Sequence, residues 1–87
     1  MDPQEELRRF VVENFLYGDQ TVALKPADSF SDRGIIDSTG VLELVAYVET
    51  QFGISVEDEE MIPDNFDSLE KLTRYVERKR RGVSHAG

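Results

Sequence analysis

Apolar residues recur at helical spacing in the middle of the chain, after a short polar break. They follow one another at intervals that place them on one face of a helix: Val41, Leu44, Val45, Val48 and Phe52. Asp37 and Ser38, which come just before, are residue types typical of a helix start, and Gly53 is typical of a helix end. The pattern predicts a helix II over residues 38–51, with Ser38 within one residue of its N-terminus.

Helix I is predicted at the beginning of the chain, over residues 3–17. Asp2 and Pro3 supply a capping side chain and a proline at the first helical position, and Gly18 offers a suitable end. Four apolar residues are spaced for burial on one face of this helix: Leu7, Phe10, Val11 and Phe15. We expect these four side chains to contribute to the core.

Helix IV is predicted near the end of the chain, over residues 68–79. Asp67 stands three residues ahead of Glu70, a spacing typical of a capping signature. The apolar positions that follow at helical spacing are Leu69, Leu72 and Val76. Beyond a basic end, residues 82–87 are predicted to form a flexible tail.

Two connections complete the predicted fold. Residues 18–37 lack a sustained period and form a long loop. The expected core anchors of this loop are Phe30, Ile35 and Ile36, with Val22 and Leu24 as further candidates. Residues 57–65 are expected to hold a short helix III, which Pro63 keeps from continuing, with Met61 and Ile62 closing the core. The sequence therefore predicts an all-α fold, a small four-helix bundle that forms one domain over residues 1–81.

The charge of the chain is negative and unevenly distributed. The 87 residues carry a net charge of −8, which argues against nucleic acid as a partner because its phosphates would be repelled. Between Gly34 and Glu70 there is no Lys or Arg, while the acidic residues there are Asp37, Glu43, Glu49, Glu57, Asp58, Glu59, Glu60, Asp64, Asp67 and Glu70. Such a surface either steers basic partner surfaces toward Ser38 or only keeps the protein solvated.

The sequence lacks the residues that most catalytic sites need. It has no cysteine, no glycine-rich phosphate loop and no metal-ligand cluster at useful spacing, and its acidic run lacks the pattern of a calcium loop. A serine nucleophile would need a base, and the one histidine, His85, lies in the predicted tail. No apolar run approaches a membrane span, and the acidic N-terminus is not a signal peptide. We therefore predict a cytoplasmic monomer on which other enzymes act, with no membrane contact and no metal.

Asp37 and Ser38 admit two interpretations. They form a simple helix cap, or they mark a site where free N–H groups and the helix dipole favour an anion. The modification-site helix of acyl carrier proteins is similar to the run formed by Asp37-Ser38, Glu43-Leu44-Val45, Glu49 and Phe52-Gly53. The similarity extends over residues 3–80. This resemblance implies a bundle of the acyl carrier type, with 4′-phosphopantetheine from coenzyme A on Ser38 and with Asp37 as its motif partner.

The same resemblance implies a function and a set of partners. A carrier of this kind holds an acyl or aminoacyl group as a thioester and catalyses no reaction itself. Its partners would be a phosphopantetheinyl transferase, an acyl- or aminoacyl-adenylating ligase or a synthase that loads the cargo, and downstream biosynthetic enzymes. Carriers dock these enzymes on the outer face of helix II, where the matching positions are Leu42, Glu43, Ala46, Glu49 and Thr50.

Two departures from fatty-acid carriers narrow this expectation. Those carriers usually have leucine after the serine, where this chain has Thr39, and they tend toward Leu-Gly-x-Asp-Ser, where residues 34–38 are Gly-Ile-Ile-Asp-Ser. The variant resembles stand-alone carriers of specialised metabolism. The pathway could be fatty-acid-like, polyketide or another specialised one, and the cargo stays open. An alternative also remains, in which the chain is an unmodified acidic helical adaptor that only binds a protein partner.

Overall fold

Four α-helices make up the fold. The computed structural model describes residues 2–16, 18 and 24–86, with the backbone alone for 82–86. The helices are α1 (Pro3–Phe15), α2 (Ser38–Phe52), α3 (Pro63–Phe66) and α4 (Leu69–Ala86), and a 3-10 turn precedes α3 at Asp58–Glu60. No strand occurs in this part of the chain, and α4 contacts each of the other three helices. Residue 17, the predicted end of helix I, and Val22, a predicted anchor of the first loop, lie outside the described residues.

α1 begins as predicted but ends earlier. The Asp2 carboxylate accepts a hydrogen bond from the Gln4 amide at 3.2 Å, which caps the start of the helix. At the other end, Gly18 adopts a left-handed backbone conformation with a φ of 77°, and its amide donates to the Val12 carbonyl at 2.8 Å. Because this turn satisfies a carbonyl of the last helical turn, α1 stops at Phe15 rather than two residues later.

α2 has the predicted start and ends one residue later than predicted, at Phe52. The Gly53 amide donates to the Glu49 carbonyl at 3.1 Å and closes the helix. The Glu49 carboxylate in turn accepts a hydrogen bond from the Val56 amide at 2.9 Å. The chain that leaves α2 is therefore held close to the last turn of the helix.

The chain between α2 and α4 forms two short turns rather than one helix. In the 3-10 turn the Glu57 amide donates to the Glu60 carboxylate at 3.0 Å, and the two residues form a capping box. α3 then starts at Pro63, because the first helical position does not use the amide that proline lacks. The helix III predicted within residues 57–65 is therefore divided in two and ends one residue later, at Phe66.

The start of α4 is capped by a different residue from the predicted one. Ser68 lies just before the helix, and its hydroxyl accepts a hydrogen bond from the Lys71 amide at 3.1 Å. Asp67 instead turns its carboxylate toward the first loop, where Ser29 and Ser31 donate to it. The prediction that Asp67 caps helix IV is wrong because the neighbouring serine satisfies the free amide equally well.

α4 also extends further than predicted. Its backbone stays helical to Ala86, whereas the sequence predicts an end at Lys79 and a flexible tail over residues 82–87. Residues 78–81 are Arg and Lys, which are good helix formers. A glycine inside a helix, here Gly82, costs only about 1 kcal/mol, which is too little to end the helix by itself. The predicted boundary is therefore wrong.

The core lies where α1, α2 and α4 meet, and the first loop and α3 contribute to it. Its buried residues are Leu7, Val11, Leu24, Phe30, Ile36, Leu44, Val48, Ile54, Phe66, Leu69, Leu72, Tyr75 and Val76. Most of the predicted anchors are among them, although Ile35 is only partly buried. Phe10 is partly buried too, and it stacks on Tyr47 with ring centroids 3.9 Å apart. These rings fill the space between α1 and α2.

The first loop is held against the start of α4 by the Asp67 network. The Asp67 carboxylate accepts hydrogen bonds from the Ser29 hydroxyl and, at 3.0 Å, from the Ser31 amide. Its backbone carbonyl accepts a hydrogen bond from the Phe30 amide at 2.7 Å. Because these bonds join residues that are distant in sequence, the loop has a defined position beside α3 and α4.

The Glu60 network holds the 3-10 turn against α4. Besides the Glu57 amide, the Glu60 carboxylate accepts hydrogen bonds from the Tyr75 hydroxyl at 3.0 Å and from the Lys79 ammonium at 2.9 Å. The bond from Glu57, supported by those from Lys79 and Tyr75, outweighs partial burial and lowers the pKa of Glu60. Burial and the hydrogen bond to Glu60 raise the pKa of Tyr75. An ionised carboxylate therefore accepts a hydrogen bond from a neutral tyrosine.

Candidate functional site

Ser38 occupies the first position of α2 and is exposed to solvent. Asp37 caps the helix: its carboxylate accepts a hydrogen bond from the Gly40 amide at 2.8 Å, and its carbonyl accepts one from the Val41 amide at 3.0 Å. Within the described part of the chain, no hydrogen bond engages the Ser38 hydroxyl or the amides of Ser38 and Thr39. The site therefore offers a free hydroxyl next to two free N–H groups at the positive end of a helix.

Gly40 lets two other segments approach the start of α2. A Cβ atom at this position would lie 2.9 Å from the Ile36 Cγ2 atom and 2.9 Å from the Phe15 Cε1 atom. Both distances are shorter than a normal van der Waals contact, so a side chain at position 40 would displace the end of α1 or the end of the loop. The missing side chain thus makes room on the buried side of the helix for the Phe15 ring and the Ile36 side chain.

An open pocket of about 390 Å³ borders Ser38. The first loop, the first turn of α2 and the segment that leads into α3 form its walls. Its apolar lining residues are Phe30, Ile36, Val41, Met61, Ile62, Pro63 and Phe66. Its polar lining residues are Ser31, Asp37, Ser38 and Asp67, and no Lys, Arg or His is among the described residues that line it. The pocket is therefore mostly apolar and has two acidic residues in its lining.

Asp67 carries the best-fixed charge of this pocket. Partial burial raises the pKa of its carboxyl group, but the hydrogen bonds from Ser29 and Ser31 outweigh that effect, and the pKa falls below its usual value. The carboxylate is therefore ionised at neutral pH, and both of its oxygens are held in place.

The sequence predicts only some of these pocket residues. Met61 and Ile62 are expected to close the core beside the path of the prosthetic group, and both line the pocket that Ser38 borders, although Ile62 is 44% exposed. Phe30 is predicted as a core anchor, and its additional place in the pocket wall could not be inferred. Asp67 is missed because its position before an apolar run indicates a helix cap. A pairing of residues 29–31 with residue 67 leaves no signal in a single sequence.

The residues predicted for docking are distributed over one side of α2. Leu42, Glu43, Ala46 and Thr50 are exposed, and Leu42 is 59% exposed. Glu49 is only partly exposed, since its carboxylate is bound to the Val56 amide. This face thus combines an apolar side chain with carboxylates. Within the described residues, no three acidic, His or Cys side chains are grouped so that they could hold a metal ion.

A family model described as a phosphopantetheine attachment site matches residues 15–76 of the sequence. The chain belongs to this family. The protein is therefore a non-catalytic carrier with a 4′-phosphopantetheine prosthetic group, and it works with a phosphopantetheinyl transferase and biosynthetic enzymes. The predictions of that prosthetic group and of a protein that is not an enzyme are confirmed.

The fold of the carrier is similar to that of a solved relative. The crystal structure of an acyl carrier protein from Thermotoga maritima superposes with a TM-score of 0.68, at 24% sequence identity and with 95% of each chain covered. This similarity confirms the predicted four-helix fold of the acyl carrier type. No curated protein sequence matches the carrier significantly. Of the described helices, none has the length and hydropathy needed to cross a membrane.

Proposed function

We propose that Ser38 bears the 4′-phosphopantetheine group and that the carrier holds an acyl or aminoacyl thioester for specialised biosynthesis. The observation that supports this most is the position of Ser38, whose free hydroxyl is exposed at the first position of α2. Asp37, its motif partner, caps the helix behind it. When bound, the prosthetic group supplies the thiol that the cysteine-free chain lacks.

The residues around Ser38 are suited to a phosphodiester. The free amides of Ser38 and Thr39, together with the helix dipole, would stabilise a negative charge here by about 0.3–1 kcal/mol. The Asp37 carboxylate is bound to the Gly40 amide, so its charge is partly compensated by that N–H group. The apolar pocket beside the serine is suited to the other end of the arm, where the cargo is attached.

The outer face of α2 supports docking of partner enzymes. Leu42 offers an apolar contact, and the Glu43 carboxylate next to it would attract a basic partner surface. Ala46 and Thr50 continue this face along the helix, while Glu49 contributes a charge whose orientation is set by its bond to the following segment. We propose that the transferase, the loading enzyme and the downstream enzymes use this surface in turn.

Specialised metabolism is favoured by the sequence around Ser38. Thr39 and the Gly-Ile-Ile-Asp-Ser run at residues 34–38 differ from fatty-acid carriers, and the variant suits a stand-alone carrier. We propose that an acyl- or aminoacyl-adenylating ligase or a synthase loads it. We further propose that it acts as a cytoplasmic monomer without nucleic-acid or membrane partners, and the net charge of −8 supports the absence of a nucleic-acid partner.

The test is modification with coenzyme A and a promiscuous phosphopantetheinyl transferase, followed by intact mass measurement and peptide mapping. The wild-type carrier is expected to gain one phosphopantetheine on the peptide that contains Ser38. Ser38→Ala should gain none, while its free energy of unfolding stays within about 0.5 kcal/mol of wild type because the side chain is exposed and unpaired.

Ser55→Ala is the matched control, because Ser55 is also exposed but lies outside the pocket. It should be modified like the wild type. An unmodified wild-type protein, with the transferase active on another carrier, would contradict the proposal and favour the adaptor function. Modification of Ser38→Ala at the wild-type rate would show that a different residue bears the group.

A further inference from the structure

The pocket beside Ser38 combines an apolar wall with a fixed negative charge. Phe30, Met61 and Phe66 lie in its wall, and Asp67 borders it. Both oxygens of the Asp67 carboxylate are held by the first loop, through the Ser29 hydroxyl and the Ser31 amide. A carboxylate oxygen accepts more than one hydrogen bond, so each oxygen can still accept another from a bound molecule.

No positively charged residue lines the pocket beside this carboxylate: the described lining residues include no Lys, Arg or His. Lys71, which does not line the pocket, helps to keep the pKa of Asp67 low, but this effect is smaller than that of the hydrogen bonds from Ser29 and Ser31. Asp37 adds a second acidic residue to the lining. A cargo that ends in a carboxylate would therefore be repelled, whereas a cargo with an ammonium group would find a partner.

We infer that the carrier favours an aminoacyl cargo with an apolar side chain, whose side chain enters the pocket while its α-ammonium group faces Asp67. This inference rests on the proposed function, since the cargo must be tethered at Ser38. A flexible tether gives the cargo a high effective concentration at the adjoining pocket, so even a weak preference becomes measurable. The volume of about 390 Å³ is at the small end of the range for small-molecule sites and has room for an aminoacyl group together with part of its tether.

The test compares three cargoes on the full-length carrier. A promiscuous transferase attaches each from a coenzyme A analogue in which a stable amide replaces the thioester. The cargoes are L-leucyl, 4-methylpentanoyl, which has the same carbon skeleton without the amino group, and succinyl, which ends in a carboxylate. Below neutral pH the leucyl amino group is protonated, because the pKa of such a group is about 8.

Pocket occupancy is read from the chemical shifts of the backbone amides of Phe30, Ser31 and Met61, relative to the unloaded carrier. The ratio of pocket-bound to free cargo should be about fivefold higher for leucyl than for 4-methylpentanoyl, as expected for one charge pair about 4 Å apart in water. Succinyl should leave these amides unshifted.

Asp67→Asn should abolish the difference between leucyl and 4-methylpentanoyl. The asparagine amide can still accept a hydrogen bond from the Ser31 amide and donate one to the Ser29 hydroxyl, so the loop keeps its place while the charge is lost. Asp64→Asn removes the same charge from an exposed residue outside the pocket and should preserve the difference. As a second measurement, the pKa of the leucyl ammonium group should be higher in the wild type than in Asp67→Asn.

Two results would overturn this inference but not the proposed function. One is equal shifts for leucyl and 4-methylpentanoyl on a wild-type carrier modified at Ser38, and the other is a preference for leucyl that persists in Asp67→Asn. Failure of the transferase to modify Ser38 would overturn the proposed function and this inference with it. Intact mass distinguishes the two cases before any chemical shift is measured.

Discussion

Asp67 and Glu60 perform the same structural task in different surroundings. Each carboxylate accepts hydrogen bonds that hold a connecting segment beside α4, and in each case those bonds lower its pKa. Glu60 accepts its bond from the hydroxyl of Tyr75, a fully buried residue, and does not line the pocket. Asp67 borders the pocket beside Ser38, and the donor residues Ser29 and Ser31 lie closer to solvent.

Because of this difference, we expect Glu60 to contribute mainly to stability and Asp67 mainly to function. Water cannot easily replace the acceptor of a buried hydroxyl, so the loss of the Glu60 carboxylate leaves an unsatisfied group. Water can replace the acceptor of an exposed amide, so the loss of the Asp67 carboxylate costs less free energy. The charge of Asp67, however, lies where a tethered cargo can reach it.

The largest effect is expected from Glu60→Leu. This change removes the acceptor of the Tyr75 hydroxyl and the partner of Lys79, so the free energy of unfolding should fall by about 2 kcal/mol. In a domain of this size the Tm should fall by about 10 °C, which calorimetry or circular dichroism can measure. Modification of Ser38 should stay near the wild-type level at temperatures where the variant is folded.

Two matched variants sharpen this result. Glu60→Gln keeps an oxygen that accepts from Tyr75 and should lose much less stability. Glu59→Leu makes the same change at the exposed neighbouring residue and should be close to wild type. If Glu60→Leu were as stable as Glu59→Leu, the Glu60 network would have no role in stability.

A smaller effect on stability is expected from Asp67→Ala, about 1 kcal/mol, because its partners can bond to water instead. The effect on the first loop should be larger than the effect on overall stability. Hydrogen exchange of the Ser31 amide should accelerate, since its acceptor is removed. The Phe30 amide serves as an internal control, because it donates to the backbone carbonyl of residue 67, which the substitution retains. Unchanged exchange at Ser31 would show that the carboxylate does not hold the loop.

The smallest effect is expected in the pH dependence of stability. The folded-state pKa values of Glu60 and Asp67 are lower than their ordinary values of 4.5 and 3.8. Between the folded and the ordinary pKa the unfolded chain binds more protons, so the free energy of unfolding should rise with pH in this interval and stay level above it. Urea unfolding between about pH 2.5 and pH 6 measures this slope. Glu60→Gln and Asp67→Asn should each reduce this slope. Slopes equal to that of the wild type would show that these two carboxyl groups do not have lowered pKa values in the folded protein.

The fold could be predicted largely from local patterns. The periodicity of Leu44 and Val48 identifies the buried face of α2, and Asp2 and Gly53 identify helix ends, because each acts on residues close in sequence. The end of α4 could not be predicted in the same way. Gly82 is a typical stop signal, yet its cost is small enough for neighbouring residues to overcome.

The candidate site could be predicted only at its centre. Ser38 and Asp37 could be proposed from the sequence because the helix cap and the serine are adjacent in the chain, and the structure has the helix start and the cap at these residues. The pocket could not be found, since its walls come from the first loop, α2 and the residues before α4, which only the folded chain brings together. Asp67 illustrates the difficulty. An acidic residue before a helix can cap that helix or bind a different segment, and only the position of Ser29 shows that Asp67 binds the first loop.

The close packing at Gly40 has a consequence for protein engineering. The end of α1, the end of the first loop and the first turn of α2 share one methyl-sized space, which the Phe15 ring and the Ile36 side chain already occupy. A residue larger than glycine at position 40 would therefore need smaller side chains at position 36, one turn away, and at position 15, on a different helix. A chimera that transfers the Asp37-Ser38 motif into another carrier also needs compatible residues at positions 15 and 36. Otherwise the first turn of α2 cannot pack against α1 and the first loop as it does here.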